Sequence, residues 1–102
     1  MHIMFQGCDE LENLDLSNFN TINVFDMSFM FNKCSSLRSI DFISFETDQV
    51  INMNGMFEEC KELEYLDLSN FNVSHVTNMD FMFNGCSKLK ELIILIQFML
   101  PI

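Results

Sequence analysis

Residues 82–92 read MFNGCSKLKEL, and three earlier stretches say nearly the same: MFQGCDELENL at 4–14, MFNKCSSLRSI at 30–40 and MFEECKELEYL at 56–66. The offset is 26 residues each time, without slippage. Met4, Met30, Met56 and Met82 form one column, and Phe5, Phe31, Phe57 and Phe83 the next. Cys8, Cys34, Cys60 and Cys86 follow, then Leu11, Leu37, Leu63 and Leu89. A period between about 20 and 50 residues, kept this strictly, predicts stacked repeats in which each copy covers the apolar side of its neighbour.

Within one copy, LEYLDLSNF at 63–71 places apolar residues at Leu63, Leu66, Leu68 and Phe71. The Leu66-Asp67-Leu68 alternation gives a short strand one inward and one outward face. Further along, Val24, Met27, Met30, Phe31 and Cys34 fall on one side of a helical wheel. Asp26, Asn52 and Asn78 stand where helix N-caps are expected. Gly7 and Gly85 share a column near the expected helix end, which Lys33 and Glu59 fill in the other copies. The expectation is therefore an α/β repeat. It is a short leucine-rich-repeat-like solenoid of about four 26-residue coils, with a parallel sheet on one side and short helical turns on the other. Its single domain spans 1–102, with coils at about 4–29, 30–55, 56–81 and 82–102. The last coil is incomplete and degenerate: Ile93 stands where Asp is expected and Gln97 where Phe is expected. No polar end cap is visible, so the protein reads as part of a longer array or as one that self-associates through its ends. The apolar run from Leu92 to Ile102 reads as a sticky edge strand.

Composition narrows the partners. The protein has 102 residues, 15 acidic and 5 basic, for a net charge of −10. Phosphate binding needs Lys and Arg, so nucleic acid is disfavoured and a basic protein partner favoured. No run reaches the roughly 20 apolar residues of a membrane span, and MHIMFQGCDE lacks the pattern of a secretory signal.

The candidate chemistry is sparse. The cysteines recur every 26 residues, a line rather than the converging cluster a metal needs. Buried free thiols are the leading reading, with disulfides between adjacent coils the alternative. Asp15, Asp41 and Asp67 point outward from successive strands about 4.8 Å apart and repel one another. Relief could come from a bound cation, from raised pKa values, from a partner's Lys or Arg, or from bonding to turn amides. Tyr65 lies on the same face. Phe29 and Phe81 fall opposite the apolar side of the wheel, with Gly55 in the same column between them; either they are exposed as a contact surface or both rings tuck between coils. His2 and His75 are isolated, and no nucleophile–base arrangement or Gly-rich phosphate loop is present. No enzyme activity, cofactor or metal is expected.

The segments LDLSNFN at 14–20 and 66–72, MFNKCSSL at 30–37 and MFNGCSKL at 82–89 carry a resemblance. Over residues 3–94 the sequence resembles the BspA-like leucine-rich-repeat surface proteins, in particular a Met-Phe-x-x-Cys subtype described as a domain of unknown function. The second copy departs from it, with IDFISFETDQV at 40–50. The resemblance implies a cell-surface or extracellular location and a role in adhesion or host contact. The expected function is a non-catalytic protein-interaction module whose candidate face comprises Asp15, Asp41, Asp67, Tyr65, Phe29 and Phe81. The alternative is a truncated structural fragment with no specific binding of its own.

Overall fold

The computed structural model describes residues 1–94. Four short strands fall where the leucine pattern puts them: β1 (Asn13–Asp15), β2 (Ser39–Asp41), β3 (Tyr65–Leu68) and β4 (Glu91–Ile94). Each is centred on the same column, with Leu14 opposite Ile40 and Leu66 opposite Leu92 in parallel register. The pairing offset is the repeat period, so each copy lies beside the next.

The α/β solenoid is not what forms. The described residues contain no helix, and the strands make two separate two-stranded parallel sheets, β1–β2 and β3–β4, rather than one continuous sheet. The body is a compact globule of 32 × 29 × 19 Å. The break between β2 and β3 falls after the degenerate second copy, where Phe42 replaces the leucine of Leu16 and Leu68. The larger ring packs edge-on against Phe45, Phe57 and Phe71 at centroid distances of 4.9, 5.8 and 5.1 Å.

The expected helical turns fail for a reason visible in the hydrogen bonds. An α-helix sends every N–H to the carbonyl four residues back. Here alternate amides close local turns: Met30 N–H donates to Met27 O, Asn32 to Phe29 O and Cys34 to Phe31 O. The amides between them leave the copy altogether. Met27 N–H donates to Asn52 O at 2.9 Å, Phe29 to Asn54 O at 2.8 Å, Phe31 to Met56 O at 3.0 Å and Lys33 to Glu58 O at 2.8 Å. The same pattern recurs one period on, from Met53, Gly55, Phe57 and Glu59 to Asn78, Asp80, Met82 and Asn84. Every backbone group must find a partner on burial, and this ribbon of turns divides them between its own copy and the neighbour.

Positive φ makes the ribbon possible. Ile3, Phe29, Gly55 and Phe81 all have φ between 55° and 60°, and Gly7, Lys33, Glu59 and Gly85 between 61° and 79°. In the turn from Met27 to Met30, Phe29 holds the third position, where a type II turn requires positive φ. The left-handed column expected at Gly7 and Gly85 is therefore present, but it closes turns rather than a helix. Asp26, Asn52 and Asn78 likewise cap turns. Their Oδ1 atoms accept the amides of Ser28, Asn54 and Asp80 at 2.8, 2.9 and 3.0 Å, and the three residues are joined by parallel bridges.

The core runs through the copies as ladders. Phe5, Phe31, Phe57 and Phe83 stack with centroids 5.6, 5.6 and 5.9 Å apart and ring planes within 9°. Phe31, Phe57, Met30, Met56, Cys34 and Cys60 are fully buried. Burying each large apolar residue of this kind is worth about 1.5–3 kcal/mol. Thr21 and Thr47, also buried, each bond to the next copy through carbonyl and amide, Thr21 to Glu46 and Thr47 to Asn72.

The cysteines are free thiols. Cys34, Cys60 and Cys86 donate from Sγ to the carbonyls of Phe5, Phe31 and Phe57 at 3.1, 3.2 and 3.1 Å, so the column rungs the stack without disulfides. Of the apolar C-terminal run, only Leu92–Ile94 is described, as part of β4. Gln97 and the rest of the expected edge lie outside the described residues.

Candidate functional site

The outward faces of β1, β2 and β3 line an open groove of about 890 Å³. Its walls include Asp15, Asp41, Asp67 and Tyr65, together with Asn13, Ser39, Ile43 and Asn70. The strand alternation places these residues. Leu14, Ile40 and Leu66 turn inward, which turns the residues on either side of each outward.

The three aspartates solve their mutual repulsion with backbone. Asp15 Oδ1 accepts the Ser17 amide at 2.9 Å, Asp41 Oδ1 the Ile43 amide at 3.0 Å and Asp67 Oδ1 the Ser69 amide at 2.9 Å. Each is an Asx turn ending its strand. A carboxylate bonded to N–H groups is stabilised in its charged form. Hydrogen bonds from Ser17 accordingly hold Asp15 below the ordinary value, and those from Ser69 do the same for Asp67. The raised values that repulsion alone suggests are not found at either residue. Beside them, lost hydration, and then the Asp67 and Glu91 charges, push the Tyr65 phenol up.

The groove walls carry three carboxylates and no Lys or Arg. Bases sit nearby but are paired: Arg38 with Glu12 at 3.8 Å, Lys90 with Glu64 at 2.8 Å and Lys88 with Glu62 at 2.9 Å. Among the described residues, no group of three or more His, Cys, Asp or Glu is placed to hold a metal ion. No described helix is long and apolar enough to cross a membrane.

Phe29 and Phe81 do not join the groove, and they part company. Phe29 is half-buried, its ring lying over Gly55. Phe81 is 64% exposed. Both exposed and both tucked were the alternatives, and the structure divides them, with Phe29 packed and Phe81 exposed.

Two features of this face escaped the reading of the sequence. The column Glu12, Arg38, Glu64, Lys90 alternates in sign at the repeat offset, a signal for two of the ion pairs flanking the groove. Ile43, 80% exposed on the groove wall, stands between Ser17 and Ser69 in its column, and an isoleucine between two serines was the clue.

No curated protein and no solved structure matches the sequence. A family described as "Mycoplasma protein of unknown function, DUF285" matches residues 1–96. With the match covering every described residue, the protein belongs to the DUF285 family.

Proposed function

We propose that the protein is a non-catalytic protein-interaction module, and that the groove over β1–β3 takes a basic segment of a protein partner. One observation carries this reading. Asp15, Asp41 and Asp67 present a row of charge in an open groove whose own walls hold no cation. In each, Oδ1 is engaged by a turn amide, which fixes the direction of the carboxylate. Oriented carboxylates of this kind select basic partners by charge and position. Tyr65 and Ile43 add apolar contact beside the row. At a finer level, a surface or adhesion role of the BspA-like type fits such a face and the motif resemblance, and extracellular basic protein is the partner class to try first.

The test is charge removal without loss of the turns. Asn retains an Oδ1 acceptor, so Asp15→Asn/Asp41→Asn/Asp67→Asn keeps each Asx turn and removes three charges. A lysine-rich peptide should bind the wild-type protein with salt-sensitive affinity and lose that binding in the triple variant. Equal affinity of both proteins, with melting curves unchanged, would reject the groove as the docking face.

A further inference from the structure

The sequence holds two Asn-Gly pairs in turns, Asn54-Gly55 and Asn84-Gly85. Asn-Gly is the pair at which an asparagine most readily loses its amide. With no side group at the glycine, the backbone nitrogen can reach the asparagine Cγ. The fold treats the two pairs differently, and we propose that Asn84-Gly85 is a spontaneous deamidation site while Asn54-Gly55 is protected.

The chemistry needs only water. The Gly85 nitrogen attacks Asn84 Cγ, forming the ring C–N bond of a succinimide. The bond from Cγ to Nδ2 breaks, and the Nδ2 nitrogen leaves as ammonia with the proton from the Gly85 nitrogen. Water then opens the ring at either carbonyl, giving aspartate or isoaspartate at position 84. In both products an NH has been exchanged for an oxygen.

At Asn54 each requirement is blocked. The Gly55 N–H, which must become the nucleophile, donates to Asp80 O at 2.8 Å. Gly55 is buried and the Phe29 ring covers it. The Asn54 Oδ1 is buried as well, so Cγ is closed to the tetrahedral intermediate and to water. The Asn54 carbonyl and amide are both held, by Phe29 N–H at 2.8 Å and by Asn52 Oδ1 at 2.9 Å. At Asn84 both residues are exposed. Among the described residues the Gly85 N–H has no acceptor. The Asn84 carboxamide is held by one long bond, Nδ2 to Glu58 Oε2 at 3.4 Å.

The product alters the rung it belongs to. Asn84 closes a polar ladder in which Gln6 Nε2 donates to Asn32 Oδ1 and Asn32 Nδ2 donates to Glu58 Oε1, at 3.0 and 2.9 Å. Deamidation to aspartate replaces the donor facing Glu58 by a second carboxylate, and attraction becomes repulsion. In isoaspartate the backbone runs instead through Cβ and Cγ, one methylene longer, and the former Asn84 carbonyl, which accepts Glu59 N–H at 2.7 Å, leaves the backbone as a side-group carboxylate. Age would loosen the join between the third and fourth copies.

Peptide mapping by mass spectrometry after incubation at mildly alkaline pH tests this. The folded protein should gain about one dalton at Asn84 and leave Asn54 intact, whereas in urea both sites should react. Asn84→Gln should remove the native-state signal. Equal loss of both amides in the folded protein, or native-state protection of both against rapid reaction of both in urea, would overturn the proposal.

Discussion

The Phe29 ring lies against Gly55 so closely that a Cβ built on the glycine would overlap Phe29 Cε1 and Cδ1. Gly55 also has a φ of +59°, where an L residue is strained regardless of space. Gly55→Ala should therefore destabilise the protein by roughly 2–4 kcal/mol, combining about 1–2 of backbone strain with the clash. Adding Phe29→Ala should recover the steric part and leave the strain. Urea melts of the two single variants and the double variant measure this; additive losses would show that the ring and the glycine do not meet.

The stacked rings set the second expectation. Phe57 lies between Phe31 and Phe83, with centroids at 5.6 and 5.9 Å, and is fully buried. Phe57→Ala should cost about 3–5 kcal/mol. Phe5, at the outer end of the stack and only half-buried, should cost clearly less when truncated. Equal losses in denaturant melts would mean the rings do not form a graded stack.

The thiol column makes stability fall at alkaline pH. Burial pushes the Cys34 thiol from 9.0 to about 11, and Cys60 is pushed up for the same reason. A folded thiol that holds its proton longer than the unfolded one contributes stability fully below the unfolded value. For Cys34 that contribution is lost as pH rises from 9.0 toward about 11. Cys34 and Cys60 should also resist alkylation at neutral pH until the protein unfolds, because both are fully buried. Thermal melts across this window, and alkylation with and without urea, check both statements.

At the acid end the sign reverses. Asp15 and Asp67 are held below the ordinary 3.8 by hydrogen bonds from Ser17 and Ser69. Their contribution is present above 3.8 and is lost as pH falls through their depressed values. Asp67→Ala, which removes the acceptor of the Ser69 amide, should destabilise more than Asp67→Asn, which keeps one. Melts of both variants at neutral pH should show that order.

Much of this was legible. The 26-residue period located all four strands: local alternation marks the first three around Leu14, Ile40 and Leu66, and the period alone carries it to Leu92 in β4. The helical turns misled because apolar residues at Val24, Met27, Met30, Phe31 and Cys34 satisfy a helical wheel and a ribbon of successive turns equally well. What separates them is where the Phe29 and Phe31 amides go, and that depends on a neighbour 25 residues away. The available clue was glycine: Gly55 and Gly85 sit in columns four residues apart, both with positive φ, which an uninterrupted helix does not admit. The aspartate row was read correctly as outward-facing. Of the ways to relieve its repulsion, bonding to turn amides is the one found, and hydrogen bonds from Ser17 and Ser69 lower the Asp15 and Asp67 values where repulsion alone would raise them.

The fold rests on backbone amides that cross from one copy to the next, and the Phe31 amide tests it most directly. Its N–H donates to Met56 O at 3.0 Å. Scalar coupling through that hydrogen bond, read in a long-range HNCO experiment on labelled protein, should join Phe31 nitrogen to Met56 carbonyl carbon. A coupling from Phe31 to the Met27 carbonyl instead, four residues back, would restore the helix and contradict the fold described here.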